Sequence, residues 1–198
     1  MKVVMLCKYP SLKDGYWGGV ATHVRSISRN LGKHVINDFE FYIISFGNKI
    51  DFKEIMEKNL ILINIHWYYY IFPFLPLLKI FIEINKIHPD IIHIQGSNIS
   101  PYSLYSLLNI GFIKNKIKII FTVHNISHLE LVSTGMIKKD SIIFKIIFYL
   151  EKFLLKQASN VIAVNTSLKE YLVKNLSIPR NNISVIYKWK LLNWRMNK

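Results

Sequence analysis

Apolar and polar positions divide this chain into short apolar runs and longer amphipathic or polar stretches. The apolar runs are rich in Ile and Val, and they predict strands at residues 2–7, 39–45, 60–65, 91–95, 117–123 and 160–164. The stretches between them predict helices at residues 20–31, 52–58, 74–86, 101–110, 141–157 and 166–175. Continuous apolar strands that alternate with helices are typical of a parallel sheet buried on both faces. We therefore expect an α/β fold with a mainly parallel sheet covered by helices on both sides.

The first predicted strand leads through a polar loop and Gly18-Gly19 into the first predicted helix. Glycines at the start of a helix let a ligand approach the backbone, and the N–H groups of the first turn favour a phosphate. His23 lies in that first turn, at the edge of the apolar face that includes Val24 and Ile27. A glycine pair is also common in ordinary turns, and this one lacks the G-x-G-x-x-G spacing of a dinucleotide site.

Residues 60–78 contain no formally charged side chain, a length that approaches the ~20 residues needed to cross a bilayer. Pro73 and Pro76 would interrupt a continuous helix. We therefore interpret the stretch as a buried strand, an aromatic loop at residues 66–70 and a helix at 74–86. Three interpretations of this helix stay open: it spans a membrane, lies on a membrane surface or packs in the core.

The balance of charged residues indicates what kind of partner the chain favours. The chain has 198 residues, and its 26 Lys and Arg residues against 12 Asp and Glu residues give a formal net charge of +14. This excess favours anionic partners such as lipid headgroups or nucleotide phosphates. The lysines are spread along the chain, three of them (Lys145, Lys152 and Lys156) on one face of the predicted helix at 141–157. Because there is no arginine-rich cluster or nucleic-acid module, we predict no nucleic-acid partner.

Cysteine usage and the N-terminus indicate the compartment. Cys7 is the single cysteine, so no intrachain disulfide can form, and it lies in an apolar strand where a thiol behaves as a small hydrophobe. The opening apolar run stops after a few residues and lacks the pattern of a signal peptide. We expect a cytoplasmic protein.

Polar side chains follow several of the predicted strands at the point where each strand ends. Gln95, His124-Asn125 and Asn165 stand at three such ends. Ligands of open parallel sheets bind beyond the carboxyl ends of the strands, so these residues are candidates for a site. A neutral imidazole at His124 can orient a hydroxyl or accept its proton near pH 7, and the alternative is a histidine that braces its loop. No histidine has the spacing or partners of a metal site, so we predict no metal.

Five motifs in order along the chain resemble the N-terminal domain of family 4 retaining glycosyltransferases of the GT-B fold. They are Gly18-Gly19-Val20 with His23, residues 89–95 (PDIIHIQ), residues 121–125 (FTVHN), Glu151 ahead of residues 158–164 (ASNVIAV), and residues 181–186 (NNISVI). Together they extend over residues 2–187. The resemblance implies a single Rossmann-like domain.

The resemblance also implies a reaction and a set of site residues. The reaction is transfer of a hexose from a nucleotide-sugar to an acceptor hydroxyl on a glycan, glycolipid or cell-envelope molecule, with retention, no obligatory metal and no cofactor beyond the nucleotide-sugar co-substrate. Gly18 and Gly19 would face the donor phosphates, and His124 would be the catalytic residue beside the reacting sugar. His23, Gln95 and Asn125 would lie on the acceptor side.

The sequence departs from the family at two places. Asn165 stands where members usually carry Ser, and residues 188–198 form a tail rich in Trp and Lys that does not continue the family pattern. We therefore assign residues 1–187 to the glycosyltransferase N-terminal domain and 188–198 to a non-family tail, which we expect to come from a frameshifted or a prematurely ended reading frame. The C-terminal donor-binding domain is expected to be encoded separately, and this chain is expected to be inactive alone.

Two alternatives stay open beside the acceptor-side half of an enzyme. One is a non-enzymatic module that binds the acceptor or an anionic membrane surface through basic and aromatic residues, including the segment 67–74, at the inner face of the membrane. The other is a stand-alone nucleotide-binding α/β protein. A sugar or a lipid-linked acceptor is the expected partner of the binding module, and a nucleotide is the expected partner of the stand-alone nucleotide-binding protein.

Overall fold

A computed structural model describes residues 1–7, 9, 20, 22–27, 39–47, 52–57, 59–66, 74–96 and 117–187. Within this part of the chain the strands are β1 (Lys2–Leu6), β2 (Glu40–Gly47), β3 (Phe52–Glu57), β4 (Leu60–His66), β5 (Ile91–Gln95), β6 (Lys118–Val123), β7 (Asn160–Ala163) and β8 (Ile183–Val185). They form one sheet in the order β3-β4-β2-β1-β5-β6-β7-β8. Strand β3 is antiparallel to β4, and the other neighbouring pairs are parallel. The predicted mainly parallel α/β sheet is confirmed.

The described helices, two of which begin at polar side-chain caps, follow in chain order. They are α1 (described at residues 22–27), α2 (Phe74–Ile87), α3 (Ser127–Ser133), α4 (Ile142–Gln157) and α5 (Thr166–Lys174), followed by a 3₁₀ turn (Arg180–Asn182). The Ser141 hydroxyl accepts the N–H of Phe144 at 3.1 Å and caps α4. Asn165 caps α5 by accepting the N–H of Leu168 at 2.7 Å, so the capping group is Asn165 and not the Thr and Ser that follow it. The helix predicted at 101–110 lies outside the described residues.

Helices cover both faces of the sheet. Successive residues of a strand point to opposite faces, so the neighbours Leu6 and Cys7 show what packs on each face. Leu6 packs in the larger apolar cluster with Ile84 of α2, and residues of α4 and α5 extend this cluster. The neighbouring Cys7 packs in the smaller cluster with Val24 of α1. The expectation of helices on both sides is therefore confirmed, and α1 uses the predicted apolar face.

Residues 52–57 form a strand, so the polar helix predicted at 52–58 is wrong. Strand β3 runs antiparallel to β4 and is joined to it by a short turn that includes Asn59, with a register shift between Ile55 and Glu57. Pairing with β3 gives hydrogen-bond partners to the backbone N–H and C=O groups along one edge of β4. The free energy gained from this pairing outweighs the weak helix preference of a six-residue segment. Helix α3 was also missed, because its seven residues lie in a stretch interpreted as a loop.

The uncharged stretch at 60–78 divides into β4 and the first residues of α2. Ile80, Ile84 and Ile87 of α2 are buried, so the helix packs in the core, while Leu78 and Ile82 are exposed. Among the described residues, no helix is long and apolar enough to span a membrane. The aromatic residues at 67–73 lie outside the described part of the chain.

Candidate functional site

The candidate site lies at the carboxyl ends of three neighbouring strands. Strands β1, β5 and β6 lie side by side, so the residues that follow them meet at one edge of the sheet. Gln95 is the last residue of β5, and His124 follows Val123, the last residue of β6. Gln95 and His124 are 29 positions apart in the sequence, and the fold brings them together.

A continuous row of polar side chains crosses this edge, and we call it the polar row. Its members are His124, Gln95, His93 and Thr122. The Nε2 atom of His124 lies 2.9 Å from Oε1 of Gln95, and Nε2 of Gln95 lies 3.3 Å from Nε2 of His93. Nε2 of His93 lies 2.7 Å from the hydroxyl of Thr122. His93 and Gln95 share a face of β5, and Thr122 is the register partner of Gln95, so strand geometry alone brings them together.

The hydrogen-bond pattern assigns a proton to His124. With the amide oxygen of Gln95 facing His124, the imidazole donates from Nε2–H, and its Nδ1 carries the lone pair in the neutral ring. The amide N–H of Gln95 then donates to Nε2 of His93, which also accepts from the hydroxyl of Thr122. Nδ1 of His124 is shielded from solvent. Gln95 therefore sets both the tautomer and the orientation of the His124 ring.

His93 is held neutral inside the strand. Burial, and to a smaller extent the nearby charge of His23, together lower the pKa of His93 to about 4. At neutral pH the imidazole therefore takes part in hydrogen bonds without a charge.

Helix α1 contributes His23 to the site. The ring centroids of His23 and His124 are 5.3 Å apart and the rings are at 73°, an edge-to-face contact. The first helix and the end of β6 therefore meet at His124. Gly18 and Gly19, predicted to face the donor phosphates, lie outside the described residues, and their role stays a prediction.

Two further residues adjoin the polar row. Gly96 is buried with φ +102°, a conformation that an L side chain rarely adopts, and its N–H donates to the carbonyl of Thr122 at 2.8 Å. The chain can therefore turn sharply as it leaves β5. The side-chain amide of Asn125 donates to the carboxylate of Glu130 on α3. This contact braces the loop, and an acceptor role for Asn125 stays a prediction.

The sequence analysis did not predict the buried cluster of side chains that lies behind His124. Oε2 of Glu151 on α4 lies 2.7 Å from Nδ1 of His128, and Oε1 accepts the backbone N–H of Ser127 at 3.0 Å. Nε2 of His128 lies 2.9 Å from the hydroxyl of Tyr171 on α5. Glu151 and His128 are completely buried, and the rings of Phe144 and Phe148 contact His128 edge-to-face.

The buried cluster anchors the turn that carries His124. Ser127 and His128 begin α3 only three residues after His124, and Glu151 ties them to α4. The one signal in the sequence was a single carboxylate in a helix whose other charged residues are lysines, because a carboxylate that folding buries requires a partner. Burial, together with the nearby Glu151 charge, raises the pKa of Tyr171, so its hydroxyl keeps its proton.

No three His, Cys, Asp or Glu side chains lie close enough to hold a metal ion in the part of the chain that the structure describes. The described site is made instead of neutral hydrogen-bonding groups. Such groups can bind and orient the hydroxyls of a sugar or another polyol, because each offers a donor or acceptor in a fixed position.

The family match and the structural matches of this chain point to the same kind of protein. The family described as Glycosyltransferase Family 4 matches residues 17–189. No curated protein matches in sequence. A sucrose-phosphate synthase from Thermosynechococcus elongatus is similar in structure, with a TM-score of 0.68, 13% identity and coverage of 94% of this chain. A second structure of that enzyme has a TM-score of 0.61 at 12% identity and covers 96% of this chain and 91% of the other.

A glycosyltransferase from Rickettsia africae ESF-5 is also similar, with a TM-score of 0.53, 20% identity and coverage of 94% of this chain. At these identities the structural likeness shows the fold alone. The present chain spans 47% of the first sucrose-phosphate synthase structure and 42% of the Rickettsia glycosyltransferase.

Proposed function

Since the chain belongs to Glycosyltransferase Family 4, we propose that it forms the acceptor side of a retaining hexosyltransferase. A nucleotide-sugar donates the sugar, and a hydroxyl of a glycan, a glycolipid or a cell-envelope molecule receives it. The bond between the anomeric carbon and the nucleotide phosphate breaks, and the nucleotide leaves with the electron pair of that bond. A bond to the acceptor oxygen forms, and the proton of the acceptor hydroxyl passes to the leaving phosphate. The polar row at the carboxyl edge, with His23 beside it, is the observation that carries this proposal.

His124 is the proposed catalytic residue. Its ring stands at the end of β6, is oriented by Gln95 and contacts His23, so three elements hold it in one position. A fixed imidazole can orient a substrate hydroxyl, and here that hydroxyl takes the place of Gln95 at Nε2, because Nδ1 is shielded from solvent. Gln95 and His23 belong to the acceptor side, and Gly18 and Gly19 to the donor phosphates.

The donor is proposed to be held mainly by a second, C-terminal domain outside residues 1–198. The chain spans less than half the length of two similar structures, which is consistent with a site divided between two domains. On this proposal the isolated chain, residues 1–187 with the tail at 188–198, binds an acceptor and does not turn over.

Radiolabelled nucleotide-sugars provide the test. Transfer into a membrane and glycan extract is measured for the chain alone and for the chain joined to the C-terminal donor domain of a family 4 glycosyltransferase. We expect transfer only from the combined protein, and we expect His124→Ala to lower kcat by about 100-fold or more, the range for a positioned proton-transfer or orienting group. His88→Asn, an exposed histidine away from the site, is the matched control and keeps full activity.

Two results would count against the proposal. Turnover by the chain alone at ordinary enzymatic rates, roughly 1–10³ s⁻¹, would mean that the donor site does not need a second domain. Equal transfer by the His124→Ala variant and by the control would remove His124 from the catalytic machinery.

The second candidate is a non-enzymatic module that binds an acceptor or a membrane surface on the cytoplasmic side. The observation that favours it is the exposed apolar surface of α4, where Ile142 and Tyr149 are 78% and 65% exposed. Acceptor binding without any transfer, even with the donor domain present, would favour this candidate over the enzyme.

A further inference from the structure

The polar row lies in a largely apolar layer, on the side of the sheet that α1 covers. Gln95 and Thr122 are only 5% and 3% exposed. Met5, the register partner of His93 in β1, packs in the smaller apolar cluster with Val24 of α1. Polar groups in such a layer must satisfy one another's hydrogen bonds, because they have little contact with water. The donors and acceptors of the row can therefore be followed from one end to the other.

The hydrogen bonds of the polar row can run in two directions. In the direction that the side chains adopt, the Thr122 hydroxyl and the Gln95 amide N–H both donate to Nε2 of His93, at 2.7 and 3.3 Å. The amide oxygen of Gln95 then faces His124 and accepts its Nε2–H at 2.9 Å. In the reverse direction, His93 would donate from Nε2–H, the Gln95 amide would be turned over, and Nε2 of His124 would become an acceptor. The direction at His93 therefore decides the tautomer of His124.

The buried end of the row favours the first of these directions. Because burial lowers the pKa of His93 to about 4, its ring is neutral near physiological pH and keeps a lone pair on one nitrogen. With that lone pair on Nε2, His93 accepts the hydroxyl proton of Thr122. In the reverse direction Thr122 would lose this acceptor, and the loss of an acceptor is costly for a buried donor. The Thr122 hydroxyl therefore selects the tautomer of His93.

We propose that Thr122 and His93 are positioning residues, which fix the direction of these hydrogen bonds and thereby keep His124 a hydrogen-bond donor at Nε2. Both residues act through the Gln95 amide rather than on the substrate. The consequence for the reaction rests on the proposed function. A substrate hydroxyl that takes the place of Gln95 at Nε2 meets an N–H and not a lone pair, so His124 holds the oxygen of that hydroxyl and does not take its proton. His124 is then an orienting group rather than a base.

Nitrogen-15 NMR of the histidine rings in the full chain tests the proposal without any sugar transfer. In a neutral imidazole, the nitrogen with the proton and the nitrogen with the lone pair have different chemical shifts, so the spectrum identifies the tautomer. In wild type we expect the proton on Nε2 of His124 and on Nδ1 of His93. Thr122→Val removes the hydroxyl that selects the direction, and we expect comparable amounts of the two His124 tautomers. Thr122→Ser keeps a hydroxyl and is expected to restore the Nε2–H form.

The variant Gln95→Met tests whether the effect passes through the Gln95 amide. Met has a similar length and offers no amide, so we expect both His124 tautomers in this variant as well. In the double variant Thr122→Val/Gln95→Met, the change at Thr122 should have no further effect on His124, because the group that connects the two residues is absent. A wild-type tautomer in Gln95→Met, or an effect of Thr122→Val that persists in the double variant, would overturn the proposal. This measurement also decides the matter if Thr122→Val does not fold.

The consequence for transfer is measured in the chain joined to a C-terminal donor domain. Thr122→Val is expected to lower kcat about twofold, because about half of the His124 rings would present a lone pair to the substrate, and Thr122→Ser should recover this loss. The same His124 tautomer in wild type and in a folded Thr122→Val would overturn the proposal. If the tautomers change as expected but even the wild-type protein shows no transfer, the proposed function fails, while the positioning of His124 by Thr122 and His93 is supported.

Discussion

The neutral state of His93 makes stability depend on pH. Burial lowers the pKa of this imidazole to about 4 in the folded chain, against 6.5 for the ordinary side chain. The unfolded chain therefore binds more protons between these two values, and the folded state loses stability as the pH falls through that window. The full difference corresponds to about 3 kcal/mol, which is an upper bound because the His93 residue is only partly buried.

The variant His93→Gln removes this titration while keeping a side chain that can hydrogen-bond Thr122. Urea unfolding of both proteins is measured between about pH 7.5 and pH 4.5. For wild type, the contribution of His93 is expected to fall by about 1.4 kcal/mol by pH 5.5 and by about 2.5 kcal/mol by pH 4.5. The variant should lack this part of the decline. His88→Asn is the control, because His88 is exposed and Asn tolerates its positive φ of 51°.

Identical pH dependence in wild type and His93→Gln would refute the reasoning, since it would mean that the folded chain accepts a proton at His93 as easily as the unfolded chain. A decline that disappears equally in the His88→Asn control would have the same meaning, because the titration would then not belong to the buried ring.

Three further substitutions have expected effects of different sizes. Phe121→Ala, at a side chain 1% exposed in the larger cluster, should lower the free energy of unfolding by about 3–5 kcal/mol, and Phe121→Leu by much less. Thermal and urea unfolding of the two variants give the comparison, and equal losses would contradict a cavity effect. Glu151→Gln should lower the free energy of unfolding by about 2 kcal/mol. The Glu151 carboxylate accepts two hydrogen bonds, and in the variant one of the two donors would face the amide N–H₂ group. Hydrogen exchange at Ser127 should quicken in that variant, and unchanged exchange would show that Glu151 does not anchor the turn. Asn165→Ala should destabilise by about 1 kcal/mol through loss of the α5 cap, whereas Asn165→Ser, the usual family residue, should be nearly neutral by circular dichroism melting. Equal melting temperatures for the Ala and Ser variants would exclude the capping role.

The sequence by itself determined most of the sheet and three of the helices. Strand β5 occupies the predicted residues, and α2, α4 and α5 end within one residue of their predicted ends. These elements could be predicted because apolar periodicity is a local property of the chain, and Ser141 and the Pro-rich start of α2 mark their beginnings. The position of His124 at the end of β6 follows from the same local pattern.

The position of β3 depended on tertiary structure. Six residues with little periodicity carry no strong local preference, and pairing with β4 through the backbone decided their conformation. The polar row shows the same dependence in part. Gln95 and His124 could be placed at strand ends from the sequence, but their contact required the order in which β5 and β6 lie side by side.

Helix α4 shows most clearly where sequence reasoning stops. The pattern predicted an apolar face with Ile142, Ile146 and Phe153, and such a face usually packs in the core. In the folded chain these residues lie outward, while Glu151 lies inward with His128. A helix that is apolar on two sides can pack with either one, and periodicity ranks neither. Only the tertiary structure, which brings His128 and Ser127 to the Glu151 carboxylate, decides which side is buried, because an unpaired buried charge would cost more than exposed isoleucines.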